Sequence, residues 1–280
     1  MELGFIGAGR IGRPMIGRLV AAGHRVRVLD RSEAAREAVS ALGATPVDDV
    51  AAVASGARAV LLCPYSDTQV REIALDGDLV EHMEPGTVLV IHTTGSPLTA
   101  TGIAVRAAAR DVEVVDAPIS GGPPHIEAGA VTLYTGATEA GLERARPVLS
   151  AYGDPIVHLG PTGAGQQVKL INNAVFAANI GIIAEAVRLA GELGLDEGAV
   201  LRGITNGSGN SMALGGAAHA GSIAAFGRAV GEFVGKDVAV VKQVAAALGV
   251  DLGEMTGPHR VLADLLLPEH RALLLADASA

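Results

Sequence analysis

The sequence predicts an α/β nucleotide-binding domain followed by an all-α domain joined to it by a long helix. Three observations predict it. From Glu2 to about Gly160, short Val/Ile/Leu runs alternate with longer Ala-rich segments of helical spacing, the pattern of βαβ units around a parallel sheet. A glycine-spaced loop, Gly7, Gly9 and Gly12, follows the first of those runs. After Gly163 strand-like runs stop, and apolar residues cover nearly every face of a segment from Gly165 to about Leu193, as expected of a buried helix.

In chain order, the expected strands are Leu3 to Gly7, Arg25 to Asp30, Ala59 to Pro64, Val88 to His92, Val112 to Ala117, Val131 to Thr135 and Ile156 to Leu159. A helix is expected over Arg10 to Ala22, between the first two strands. Beyond Pro118 turns rather than long helices separate the strands, so that edge is expected to be antiparallel or mixed. A boundary at Pro161 to Gly165 divides the chain into domains 1–162 and 163–280. After the long helix, further helices are expected over Asp196 to Ile204, Ala213 to Ala220, Phe233 to Leu248 and Gly257 to Leu266. Asn206 to Gly216 reads as a Gly-rich loop, and the tail from Pro268 as prone to fray.

The bulk numbers exclude several function classes. With 280 residues and 49% hydrophobic content, the chain can bury a substantial core. A net charge of −9 disfavours nucleic acid, whose binding needs a dense basic patch. The single cysteine, Cys63, rules out an intrachain disulfide and reads as core filler. No signal-peptide pattern opens the sequence, and the apolar stretch Ala174 to Ala190 is broken by Asn179, Glu185 and Arg188. A cytoplasmic protein without a membrane span is therefore expected. The eight histidines are scattered, with no metal-ligand spacing, and no metal is expected. Neither a GxSxG elbow nor a Cys-His pair points to covalent hydrolysis.

Gly7, Ala8, Gly9, Arg10, Ile11 and Gly12 form a GxGxxG loop between strand and helix, the fingerprint of a Rossmann-type dinucleotide site. The first glycine makes the turn, the second admits the pyrophosphate and the third lets helix pack on strand. Asp30 ends the second strand, where a carboxylate accepts from the adenosine ribose hydroxyls and repels a 2′-phosphate. This favours NAD, with NADP left open by Arg31, which either stacks on adenine or pairs with a 2′-phosphate. Asp30 has a second reading, as a cap for the helix beginning near Ser32.

Three further segments are DAPISGG (Asp116 to Gly122), GAGQQVKLINN (Gly163 to Asn173) and KDVAVV (Lys236 to Val241). With GFIGAGRIGRPM at the start, they resemble, in order and over Gly4 to about Leu248, the β-hydroxyacid dehydrogenase family, which includes 3-hydroxyisobutyrate dehydrogenase and tartronate semialdehyde reductase. The resemblance implies a Rossmann domain, an interdomain helix, a helical domain and an active site in the cleft between the two. It implies Lys169 as catalytic lysine and Asn173 as its partner. Ser120, Gly121 and Gly122 would hold the substrate carboxylate, Lys236 would lie near substrate and nicotinamide, and Pro64 and Thr94 would line the cofactor.

The chemistry is consistent with that reading. Hydride transfer to a carbonyl leaves an alkoxide that needs a proton, and the reverse reaction needs a base. A lysine in an apolar setting can serve as both. Residues four apart share a helix face, which puts Lys169 and Asn173 on one side. The alternatives are a lysine snorkelling to solvent, a plain glycine turn at Ser120 to Gly122, and a surface lysine at Lys236. The sequence departs from the family after Gly122, where Pro123, Pro124, His125 and Ile126 replace small residues; His125 either narrows the pocket or lies on the surface. His92, Thr93, Thr94, Gly95 and Met212 also depart from it.

The expected activity is NAD(P)-dependent interconversion of a small 3-hydroxy acid and its semialdehyde or oxo acid, by a homo-oligomer. The competing readings are an imine or other carbonyl reductase on the same scaffold, where the lysine is usually replaced, and a non-catalytic nucleotide-binding module.

Overall fold

The computed structural model describes residues 1–275. It divides into two compact units, Met1–Lys169 and the residues from Leu170 onward.

In the first unit, β1 (Glu2–Ile6), α1 (Gly12–Ala21), β2 (Arg25–Leu29), α2 (Glu33–Ala41), β3 (Thr45–Val47), α3 (Val50–Ala54) and β4 (Ala59–Leu62) follow in alternation. The chain continues through α4 (Asp67–Val70), which runs into a π-helical turn over Arg71–Leu75, then α5 (Leu79–His82), β5 (Val88–Ile91), α6 (Pro97–Ala108) and β6 (Glu113–Asp116). The order β3-β2-β1-β4-β5-β6 is parallel throughout, the doubly wound arrangement in which ligands collect at the carboxyl ends of the strands. Strands β1, β4 and β5 are buried on both faces because helices cover both. That is why they read as unbroken apolar runs.

Beyond β6 come β7 (Ile119–Ser120), α7 (Pro123–Glu127), β8 (Val131–Gly136), α8 (Glu139–Leu149) and β9 (Gly153–Gly160). Strand β8 is antiparallel to β6 and β7, and β9 is parallel to β8, so this edge is mixed. The expectation of turns alone was wrong here: α8, eleven residues long, joins β8 to β9. Its buried Leu142, Ala145, Val148 and Leu149 have helical spacing, but Pro147 lies inside the helix and masks it. β3 escaped notice because it is three residues long with a proline, tolerated since it pairs only with β2 at the sheet edge.

α9 (Ala164–Glu192) crosses from the first unit into the second. The second unit continues with α10 (Glu197–Thr205), α11 (Met212–Ala220), α12 (Ile223–Ala247), a 3₁₀ turn over Gly253–Met255, α13 (Thr256–Leu265) and α14 (Pro268–Leu275). Its core joins Ala177, Ile180 and Ile183 of α9 to Leu201, Leu214, Val234, Val238 and Leu262. α12 begins ten residues before the expected Phe233, because Gly227 and Gly231 read as breakers yet sit against Leu265 and Leu266. The helix expected over Ala213 to Ala220 is α11, which opens at Met212, so the loop expected from Asn206 to Gly216 ends at Ser211. Pro268–Leu275, expected to fray, is helical, and the last five residues of that expected tail lie outside the described residues.

α9 is long and apolar enough, by length and composition, to cross a membrane. Its buried side chains instead join the second unit's core clusters. It is not buried all round, as its composition led us to expect: Ile171 (61% exposed), Val175 (45%), Ile182 (54%) and Leu189 (51%) form one open stripe.

Candidate active site

The loop between β1 and α1 is shaped by glycine. Gly7 has φ +100°, and a Cβ at Gly12 would fall on the Gly7 carbonyl oxygen, so α1 can approach the strand end only with glycine there. At Gly9 a Cβ would meet no protein atom, which leaves open space above the start of α1. Ser32, Ser96, Thr138, Asp196, Ser211 and Ser222 cap α2, α6, α8, α10, α11 and α12 with their side chains. α1 opens at Ile11 with no side-chain cap. A helix N-terminus left this way presents N–H donors and a positive dipole end to an anion.

Asp30 backs this loop. Its Oδ2 accepts from the Ala8 N–H at 2.8 Å and its Oδ1 from the Ser32 N–H at 2.9 Å. Two lone pairs per oxygen leave room for ribose hydroxyls as well. Ser32, not Asp30, caps α2. The loop, the open helix start and the carboxylate fit a dinucleotide.

The second loop at the sheet's carboxyl edge, from β5 to α6, carries Thr94 and is tied to its surroundings on three sides. Thr93 Oγ1 donates to Pro64 O at 2.8 Å, which joins the loop to the end of β4. Asp67 accepts from the Ser96 N–H at 3.2 Å and from Thr99 Oγ1 at 2.8 Å, and burial pushes its carboxyl pKa up. Gln166, in the first turn of α9, accepts from the Gly95 N–H at 2.9 Å and donates to Thr93 O at 2.8 Å. Thr94 itself stays half-buried.

Beneath this loop lies His92. Its Nδ1–H donates to Ala117 O at 2.7 Å, which leaves Nε2 to accept from the Tyr152 hydroxyl at 2.8 Å. Burial lowers its pKa to about 4, so the ring is neutral, and burial raises the Tyr152 hydroxyl well above its ordinary range.

Asp116, at the end of β6, holds the start of α9. Oδ1 accepts from the Gly163 N–H at 2.6 Å and Oδ2 from the Gln166 N–H at 2.7 Å. Burial raises its pKa to about 6 against the opposing pull of those N–H donors. One turn further along α9, Lys169 is 8% exposed, and Asn173 is 6% exposed. Lys169 therefore does not snorkel to bulk solvent. Asn173 Nδ2 donates to Asp237 Oδ2 at 3.0 Å, beside the half-buried Lys236 of α12.

Ser120 ends β7, a short strand the sequence did not announce, Gly121 and Gly122 follow it, and His125 turns back onto them. The Gly122 N–H donates to His125 Nδ1 at 3.3 Å, and a Cβ at Gly121 would lie 3.2 Å from the same ring. One backbone donor expected to face substrate is thus already engaged.

Residues 2–160 match the family described as the NAD binding domain of 6-phosphogluconate dehydrogenase, and 163–260 that described as NAD-binding of NADP-dependent 3-hydroxyisobutyrate dehydrogenase. The chain is 36% identical to 2-(hydroxymethyl)glutarate dehydrogenase of Eubacterium barkeri, over 76% of this chain and 71% of that one. It is 34% identical to 3-hydroxyisobutyrate dehydrogenase of Pseudomonas aeruginosa, over 76% and 72%. The chain belongs to the β-hydroxyacid dehydrogenase family. This dehydrogenase is also similar to a solved structure, Mycobacterium tuberculosis 3-hydroxyisobutyrate dehydrogenase with L-serine, at TM-score 0.86 and 28% identity over 100% of this chain and 97% of that one. An imine reductase of Streptomyces aurantiacus matches at TM-score 0.64 but 19% identity, which shows the fold alone.

Membership makes this chain a nicotinamide-dependent hydroxyacid dehydrogenase, with an NAD(P)-binding N-terminal domain. Four residues of the dehydrogenase escaped sequence reasoning: His92, Asp116, Gln166 and Asp237. Asp116, Gln166 and Asp237 lie inside the segments that carry the resemblance, and His92 and Asp116 each close an apolar run, where a polar side chain invites suspicion.

Proposed function

We propose that this dehydrogenase interconverts a small 3-hydroxy acid and its semialdehyde or oxo acid, with Lys169 as the general acid and base. Supporting the substrate class are the relatives' own activities, named as acting on 3-hydroxyisobutyrate, 2-(hydroxymethyl)glutarate and L-serine. The observation that carries the role of Lys169 is its burial on the helix whose start is fixed by Asp116. A bound nicotinamide supplies or accepts the hydride. Lys169 Nζ gives a proton to the nascent alkoxide in reduction and, as the free amine, takes it from the hydroxyl in oxidation. Asn173, kept in one orientation by Asp237, would hold the same oxygen, and Lys236 would add positive charge near the acid.

Ser120 and the Gly121 N–H would hold the substrate carboxylate. Pro64 and Thr94 would line the nicotinamide side. The loop Gly7, Ala8, Gly9, Arg10, Ile11 and Gly12 would take the pyrophosphate, and Asp30 with Arg31 the adenosine end, with NAD preferred over NADP. The open stripe on α9 supports a homo-oligomer, because exposed apolar rows of this kind mark association surfaces. One cysteine in an acidic chain supports a cytoplasmic setting.

The test is absorbance at the nicotinamide band with a panel of 3-hydroxy acids, their esters and both cofactors. Turnover of the acids but not of the esters is expected. Equal turnover of acid and ester would remove Ser120 from carboxylate binding, and no turnover of any 3-hydroxy acid would sink the substrate class.

A further inference from the structure

We propose that Gln166 is a positioning residue that sets the distance between the proton-transferring Lys169 and the Thr94 loop on the nicotinamide side; this rests on the reading of Lys169 given above. The side chain is 1% exposed, and both ends of its amide are used on one short stretch of backbone. Nε2 donates to Thr93 O and Oε1 accepts from the Gly95 N–H. The two contacts bracket Thr94, so they fix that residue's backbone and not merely its neighbourhood.

Gln166 is also where α9 is anchored. Its own N–H donates to Asp116 Oδ2 at 2.7 Å. Three residues on, and about 4.5 Å along the helix axis, comes Lys169 on the same face. A single residue therefore ties strand β6, the Thr94 loop and the catalytic turn of α9 together. An apolar side chain of equal volume would fill the space but lose the register, and misplacement by about 1 Å can cost on the order of a hundredfold in rate.

Gln166→Ala should lower kcat by roughly ten- to a hundredfold while the cofactor Kd and the KM for the acid stay within about threefold. In the cofactor-free protein, hydrogen exchange at the Gly95 amide should speed up, because its acceptor is gone. Gln166→Glu gives a sharper readout. As a carboxylate it can still accept from Gly95 but turns its second oxygen against the Thr93 carbonyl; once protonated, it donates there again. Its kcat relative to wild type should therefore rise as pH falls from 8 to about 5.5, while the Gly95 amide stays protected across that range because both forms accept from it. Asp116, Asp67 and Lys169 are the titratable groups facing this region. Their own titrations are read from wild type and from Gln166→Ala over the same pH range.

Lys169→Ala is run alongside. Wild-type kcat in folded Gln166→Ala, with Lys169→Ala inactive, would overturn the inference and leave the proposed function standing. Wild-type kcat in Lys169→Ala would overturn both. If kcat and melting temperature fall while cofactor Kd rises in Gln166→Ala, or if the Gln166→Glu ratio is flat with pH, Gln166 merely supports the fold and the inference fails.

Discussion

The two loops at the carboxyl edge of the sheet are built in opposite ways. The Gly7–Gly12 loop is shaped by its own glycines, with help from Asp30 across one strand. The Thr93–Ser96 loop owes its shape to the side chains of Asp67 in α4 and Gln166 in α9 and to its own Thr93 hydroxyl on the Pro64 carbonyl, partners up to 73 residues away. The first is a local device for an anion that needs only N–H donors and space. The second must hold one backbone point still, which takes braces from several directions.

This contrast explains what the sequence made legible. A GxGxxG between strand and helix is a short-range signal, and so were Asp30 and the apolar runs of β1, β4 and β5. Gln166, Asp67 and His92 act across the fold, and nothing in their neighbours announces a partner. Lys169 and Asn173 stood out because a charge and an amide in an apolar helix demand an explanation. Asp237, the partner of Asn173, became visible only once α9 and α12 were placed. The helix boundaries failed where glycine and proline sit inside helices, in α8 and α12, because packing overrode local preference.

If the braced loop serves chemistry and the glycine loop serves binding, variants should separate the two. The largest effect is expected from Lys169→Ala, with kcat down by ~100 to ~10,000-fold and NADH affinity nearly unchanged, measured by steady-state rates and fluorescence titration. Lys169→Arg should rescue little, because guanidinium does not release its proton near neutral pH.

Gly12→Val should do the reverse. Its Cβ would press on the Gly7 carbonyl, and overpacking of about 1–3 kcal/mol corresponds to roughly ten- to a hundredfold weaker cofactor binding. A Gly12→Val protein with wild-type NADH affinity would break the comparison.

His92 sharpens it on the side of the braced loop. The folded pKa lies near 4 against the ordinary 6.5, so the stability that the neutral ring gives at pH 7 is lost as pH falls through 6.5 towards 4, by at most about 3 kcal/mol. Asp116 opposes this. Its pKa is raised to about 6 from 3.8, so its contribution is full below 3.8 and is lost as pH rises through 6. In His92→Gln, melting curves between pH 4.5 and 7 should lose the His92 limb and flatten or reverse in slope. An unchanged acid limb would remove His92 from the account.

The smallest effect is expected at Asp30→Ala, where loss of one ribose acceptor, worth about 1 kcal/mol, should shrink the preference for NADH over NADPH by roughly fivefold. A wild-type protein that binds NADPH tenfold better would assign the adenosine end to Arg31 instead.

The chain has three lysines, Lys169, Lys236 and Lys242, against eighteen arginines, and none of the three is exposed. Lys242 spends its ammonium on the Leu274 carbonyl at 2.7 Å. Surface positive charge is therefore carried almost wholly by guanidinium, which acylating reagents leave alone. Amine-directed labels, cross-linkers and immobilisation chemistries should consequently find little on this protein beyond its N-terminus. Lys236 and Lys242 are half-buried and Lys169 is buried, so acylation at Lys169 should lag the other two and becomes a clock for the opening of α9.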